Sequence, residues 1–498
     1  MSDSYDVIVI GSGAGGGTLA NAVARAGKRV LLLERGKKSP EVSLPHDERA
    51  MLIDKQPYDD RPIDVNDTDA RLYMGGVLGG STSLYGAALM RPSDDDFHPG
   101  QHYADRLEKS IHDWPIGYDD LATYYDRAEQ LYHVSGQTSD NFGPLNHPSQ
   151  QYPHQPIPLK PINERLVNGN ESAGLKPFVL PLGIDFNICL QCDACPGYIC
   201  PNGARISAGQ VVEKAAAETG SIEVWTNVEV QKLERQGESI TGVRVLDRES
   251  GDQQVVTAKR YVLSAGAIGS PAILLKSGCD HPLIGRNYMM HLSPIVVGLY
   301  LKRTGAESTF VKQIGFADHY FGTDDYPHKL GLVQSLPVPG PLMIGKSAPQ
   351  WLPKRAIETL RKRMLPLAGI VEDLPNPENR VSVKEDGQIA LSHRYSDYDF
   401  ERGKVLTHLM VDILKRGGAA HCLTKSFPST EHVAHQCGTL RFGTDRQHAV
   451  ADKNGRLFDH PEVFVADGSL FPTSLGVGPA LTIMANALRI ADTVIDEI

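Results

Sequence analysis

An apolar run, Val7–Ile10, breaks at a glycine cluster, Gly11-Ser-Gly-Ala-Gly-Gly16, after which apolar positions take helical spacing from Thr18 to Ala26. A second apolar run, Arg29–Leu33, ends on Glu34. This order predicts a strand, a tight turn, a helix and a second strand. Ser221–Val230 reads as short strands, and Ile240–Leu246 with Gln254–Leu263 alternates as a β-meander does. Tyr261-Val-Leu-Ser-Ala-Gly-Ala-Ile-Gly-Ser-Pro again runs from a strand into a glycine turn, with a helix continuing through Lys276. Near the end, Val463–Ala466 predicts a strand, Asp467-Gly468 a turn and Pro479–Asp496 a helix. Three separated segments therefore read as parts of one α/β layer.

The intervening segments have another character. Tyr118–Val134 predicts an amphipathic helix, Gly143–Pro161 a proline-rich extended stretch, and Asn287–Leu336 longer strands. Leu336–Pro353 is a second crossing rich in proline and glycine. Together they predict a second domain built on a sheet.

The glycine turn is candidate chemistry. Gly11 permits the sharp turn, Gly13 lets backbone approach a pyrophosphate, and Gly16 lets helix and strand pack closely. The helix N-terminus then offers N–H groups to phosphate oxygens. Glu34 stands where a carboxylate would accept the ribose hydroxyls of an adenosine. The spacing predicts a dinucleotide site without naming the dinucleotide.

Composition narrows the class. A net charge of −10, with no Lys/Arg stripe to offset it, argues against a nucleic-acid partner. No apolar run approaches the length of a membrane span. Met1-Ser-Asp-Ser leads straight into the first strand, which leaves no room for a signal peptide and predicts a cytoplasmic protein. The seven cysteines are an odd set for a secreted disulfide framework, and Cys189, Cys192, Cys195 and Cys200 crowd into one segment. Their spacing approaches a ferredoxin run but has one extra residue before Cys200. Iron–sulfur, zinc, free thiols and a local disulfide stay open, with no metal the favoured state.

Several motifs taken together resemble the glucose–methanol–choline oxidoreductase family. They are the first turn, Gly79-Gly80-Ser81-Thr82, Gly266-Ala-Ile-Gly-Ser-Pro271, His435-Gln-Cys-Gly-Thr439, and the tail from Val465-Ala-Asp-Gly-Ser to Pro479-Ala-Leu-Thr. The wording His-Gln-Cys-Gly-Thr-Leu-Arg-Phe-Gly and the compact length place it nearer the bacterial pyranose-oxidase-like branch, which acts mostly on sugars and glycosides. The resemblance implies a Rossmann-like FAD-binding domain assembled from residues 1–97, 200–286 and 435–498. It implies a sheet-based substrate-binding domain from 98–199 and 287–434. It also implies FAD, and oxidation of an alcohol of a carbohydrate-like substrate to a carbonyl by hydride transfer, with oxygen or another acceptor closing the cycle. Sterol and choline substrates are not excluded, and neither is an electron-transfer subunit whose cysteines hold a cluster.

The resemblance carries over to particular residues. Cofactor contacts fall on Gly11, Ser12, Gly13, Ala14, Gly15, Gly16, Glu34, Arg35, Gly80, Ser81, Thr82, Val228, Ala265 and Gly266. They continue on Asp467, Gly468, Pro479, Ala480, Leu481 and Thr482, where the positive end of the last helix would face the flavin pyrimidine. His435 takes the position of the family's base, and an imidazole titrates in the range a base needs; His432 does not match that position. Two departures stand out. Gly478 replaces the second polar residue, Asn or His, found before the proline of the last helix, which also raises the possibility of impaired alcohol oxidation. Ser83 stands where some relatives carry a flavin-linking His, so FAD is expected to bind without a covalent bond.

Overall fold

The structure is a computed structural model that describes residues 5–38, 46–103, 106, 113–148, 150–347, 353–425 and 434–498. Met1–Ser4, on which the leader expectation turned, and His432 lie outside the described residues.

A five-stranded sheet runs in the order Val463–Val465, Ala258–Leu263, Tyr5–Ile10, Val30–Glu34, Ile222–Thr226, with every neighbouring pair parallel. The central strands are apolar on both faces because helices cover both, as parallel sheets require. The three segments read from sequence meet here. Helix Ala14–Arg25 packs between helices Ala208–Thr219 and Ala480–Asp496. Glycine permits that closeness: a Cβ at Gly15 would lie 1.5 Å from the Ala466 carbonyl oxygen, and one at Gly16 would lie 2.0 Å from that of Gly11.

The expected meander divides. Gln253–Val256 pairs antiparallel with Ser239–Asp247, whereas Ala258–Leu263 leaves that sheet and joins the parallel one. The reason is burial: Tyr261, Val262 and Leu263 are buried, and Gln253, Gln254 and Val255 are exposed.

A six-stranded antiparallel sheet lies beyond, ordered His421–Lys425, Ile295–Leu299, Met364–Ile370, Leu332–Ser335, Ile314–Phe316, Phe178–Val179. Helix Asp397–Arg416 seats Leu406, Met410, Ile413 and Leu414 in its core. Within 287–336 the strands are shorter than expected, at 295–299, 314–316 and 332–335. Turns at Gly305, Gly322 and Gly331, all at positive φ, interrupt them. The crossing from Leu336 also differs, since Pro341–Ser347 is helical. The Glu48 carboxylate accepts hydrogen bonds from the backbone N–H groups of Leu342 and Met343, both at 2.9 Å, and so caps that turn. The predicted amphipathic helix ends at Leu131, because His133 takes a φ of 49° and Val134–Ser135 pairs with Leu182–Gly183. No helix among the described residues is long and apolar enough to cross a membrane.

Candidate active site

The predicted turns converge at the carboxyl ends of the parallel strands. In open α/β sheets this is the edge where ligands bind. Gly11 backs onto Ser264, whose carbonyl oxygen would lie 2.4 Å from a Cβ there, and Gly80 lies over Gly13. At Gly13 and Gly266 an added Cβ would meet nothing within 4 Å. A dinucleotide fits this edge, because the backbone there is bare and faces open space.

Ser12 ties the first turn to the end of the second strand and to the Gly79 loop. Its hydroxyl donates to a Glu34 carboxylate oxygen at 2.5 Å and accepts from the Gly79 N–H at 2.8 Å. Its own N–H donates to the same Glu34 oxygen at 3.1 Å, and the other oxygen accepts from Gly36 at 2.6 Å. Burial pushes the Glu34 carboxyl up, against these donors. Glu34 thus braces the turn. Arg35 points into a cluster of carboxylates, Asp59 at 2.9 Å, Asp60 at 2.8 Å and Glu229 at 3.2 Å. Val228 is buried at the start of its strand.

Asp467 turns its carboxylate into the protein. One oxygen accepts from the Gly266 N–H at 2.8 Å and the Ser270 hydroxyl at 2.6 Å, and the other from the Ser469 N–H and hydroxyl. It locks Gly468 and the Ala265–Gly266 turn in place. Thr82 donates to the Gly79 carbonyl and accepts from the Ala208 N–H, and Ser81 accepts from Gly75. At the last helix Pro479 is the N-cap, so the first-turn N–H groups from Ala480 to Thr482 have no intrahelical acceptor. The Thr482 hydroxyl is engaged 2.9 Å from Tyr125.

His435 lies at the mouth of this edge, part-buried, with a φ of 65°. A non-glycine residue in that region stores strain that the surroundings must support. They do so through an antiparallel bridge between Met289 and Cys437. Two residues on from Met289 and two residues back from Cys437, that register sets His291 opposite His435, with their Nδ1 atoms 2.8 Å apart. His291 is buried, and its Nε2 lies 2.7 Å from the Leu475 carbonyl oxygen. A carbonyl only accepts, so His291 Nε2 carries the hydrogen and Nδ1 of the neutral ring accepts. His435 must then donate from Nδ1, which leaves its Nε2 lone pair free. That nitrogen faces Gly478, where a Cβ would lie 3.5 Å away. Burial, then His291 and Lys312, holds the His435 imidazole well below its ordinary range.

Leu475, at a φ of 64°, is itself pinned. Its N–H donates to Glu372 at 3.0 Å, and the other Glu372 oxygen accepts from Tyr103 at 2.9 Å and Lys329 at 2.5 Å. Lys329 also pairs with Asp96. Burial opposes the charge on Glu372, yet Lys329 holds its carboxyl below the usual range. Sequence reading missed His291, Leu475, Glu372 and Lys329, because their partners are distant in the chain. The sole local signal was that His291 is one of 18 histidines.

Cys189, Cys192, Cys195 and Cys200 are free thiols. Burial pushes the Cys195 thiol up to about 12. Among the described residues no group of three or more His, Cys, Asp or Glu is arranged to hold a metal ion. The Ser83 hydroxyl donates to the Leu78 carbonyl at 2.7 Å.

Comparison with known proteins gives the family and the fold. The GMC oxidoreductase family models match residues 5–293 and 375–487. The chain is 31% identical to the 6'''-hydroxyparomomycin C oxidase of Streptomyces lividus, over 97% of this chain and 90% of that one. It is 28% identical to the paromamine 6'-oxidase of Streptomyces fradiae, over 99% and 92%. In fold it is similar to the pyridoxine 4-oxidase of Mesorbium loti, with a TM-score of 0.70 at 19% identity, covering 98% of this chain and 99% of that one.

Proposed function

The chain belongs to the GMC oxidoreductase family, and from that premise we propose that it oxidises a hydroxyl of a carbohydrate-like substrate, with His435 as base and non-covalent FAD as acceptor. The observation that carries this reading is the free Nε2 of His435, aimed at the space beside Gly478 and the start of the last helix. The relatives named for paromamine and hydroxyparomomycin C support a sugar-like substrate.

FAD bound along this edge supplies the hydride acceptor. Gly13 would admit its pyrophosphate to the backbone, with Gly11 and Gly16 shaping the turn and Gly80 and Gly266 on the flanks. Ala480, Leu481 and Thr482 present N–H groups and the positive helix end to the flavin side. His435 Nε2 takes the hydroxyl proton as the substrate carbon gives up hydride. His291 holds the ring in the tautomer that leaves Nε2 basic. The Ser83 hydroxyl is already engaged with Leu78 and has no chemistry for a flavin bond, which supports non-covalent binding.

The test is anaerobic stopped-flow reduction of wild type and His435→Ala with a panel of sugars, glycosides and aminoglycosides. The variant keeps FAD and loses reduction by about a hundredfold to ten-thousandfold. Reduction within about tenfold of wild type rejects His435 as the base. A wild type that holds FAD but is bleached by none of these alcohols rejects the substrate class.

A further inference from the structure

Lys312 is a buried lysine with no carboxylate partner among the described residues. It is 4% exposed and lies just before strand Ile314–Phe316. Its neighbour Gln313 bonds to Asn163 and the Pro158 carbonyl. Lys312 reaches instead toward the loop that follows Ser83. There its Nζ donates to the Gly86 carbonyl oxygen at 3.0 Å. A Cβ on Gly86 would lie 2.2 Å from that nitrogen, so the glycine makes room for the amine.

Lys329 offers a contrast within the same molecule. It is equally buried but sits between Asp96 and Glu372, and their charges carry its affinity for a proton above the usual value despite burial. Among the described residues the charged and titratable groups around Lys312 are Cys195, Arg205 and His435. Arg205 is itself held by the carbonyls of Cys195, Ser83 and Tyr198. Burial pulls the Lys312 amine down to about 8, still largely an ammonium at neutral pH. An ammonium taken from water without a counter-ion is costly, so a fold that keeps one has a use for it.

Its position indicates the use. Gly86 closes the loop that begins with Gly79-Gly80-Ser81-Thr82, and on the other side the charge of Lys312 is felt at His435. The amine therefore lies between the flavin signature and the base. We propose that Lys312 is the cation that offsets the negative charge the flavin ring gains in the reaction. In that step the substrate C–H bond breaks with its electron pair going to the flavin, the hydroxyl proton goes to His435 Nε2, and the carbonyl forms. The ring gains one negative charge, and Lys312 keeps its proton and balances it. His435, held neutral in the resting state, supplies no such charge at the outset. The inference rests on the functional reading above only in requiring bound FAD.

The test uses the holoenzyme and needs no alcohol. Sulfite affinity, read by bleaching of the flavin absorbance, and the midpoint potential both report stabilisation of negative charge on the ring. Lys312→Met and Lys312→Gln are expected to weaken sulfite binding by about tenfold to a thousandfold and to lower the potential. Lys312→Arg keeps the affinity within about threefold of wild type at pH 7. As pH rises through about 8, wild-type affinity falls away from that of the Arg variant, which keeps its charge. Neutral variants that bind sulfite like wild type overturn the proposal. If neither neutral variant retains FAD, the comparison of wild type with Lys312→Arg decides, and parallel pH profiles overturn it. A wild type that binds no FAD overturns the flavin reading itself, and this inference with it.

Discussion

His291 and His435 meet Nδ1 to Nδ1 at 2.8 Å, and the carbonyl of Leu475 behind His291 decides which of the four ring nitrogens stay bare. The tautomer of His435 therefore depends on a residue 144 positions away in sequence.

Removing that partner should be costly without touching FAD. His291→Ala is expected to slow flavin reduction by about tenfold to a thousandfold, since His435 then populates the tautomer with its proton on Nε2. FAD content and absorbance should stay at wild-type values, and the pH profile of reduction should shift. His291→Asn, whose side-chain carbonyl can accept from His435 Nδ1, should recover part of the rate. A His291→Ala enzyme with the wild-type rate and pH profile would show that the contact is only structural.

Gly478 invites the opposite change. It is not at positive φ, and an added Cβ sits at ordinary contact distance, 3.5 Å from His435 Nε2. Gly478→Asn should therefore fold and bring an amide to the substrate oxygen. We expect reduction to accelerate by up to about tenfold, a fraction of what a well-placed donor contributes. An unchanged rate in a folded, FAD-loaded variant would mean that another group already holds that oxygen.

The pH dependence follows from direction alone. The imidazole of His435 is depressed by burial, then by His291 and Lys312, so it stays neutral and basic below the ordinary histidine range. The acid limb of the reduction rate should lie below about pH 6.5. The stability linked to this group is fully present above about pH 6.5 and is lost progressively as pH falls below it, toward the lower folded-state value. Rapid-reaction pH profiles and thermal unfolding across pH 4 to 8 check both. An acid limb at or above the ordinary value would contradict the assignment.

Cofactor attachment is checked by denaturation. Wild-type protein should release all its FAD on acid or heat precipitation, since Ser83 is committed to Leu78. Gly13→Leu should purify without flavin, because its side chain would fill the bare space over the turn. Flavin that stays with the precipitate would contradict non-covalent binding.

Much of the site was legible because it is local. The Gly11–Gly16 turn, Glu34 and the Gly266 turn declare themselves through glycine spacing at the ends of apolar strands. Three segments with that signature were expected in one layer, and they meet in the parallel sheet. His435 was marked by its motif. Local reading failed where turns cut the strands, as between Asn287 and Leu336. It also failed where a distant group rescued a helix, as Glu48 does at Leu342 and Met343.

Asp467, Glu34 and Arg35 show the boundary between the two kinds of information. Their positions were recognisable, but the direction of each side chain was not: Asp467 braces Gly266, Glu34 braces Ser12, and Arg35 meets three carboxylates. By itself the sequence determined the glycine turn and the α/β layer, since these rest on spacing within a few residues, and the resemblance of its motifs singled out His435. Only the tertiary structure decided that His291 faces His435, that Glu372 and Lys329 hold Leu475, and that Lys312 has no carboxylate partner among the described residues. Side chains distant along the chain acquire a shared pKa, tautomer or charge balance only when folding brings them within a few ångströms and removes the water between them.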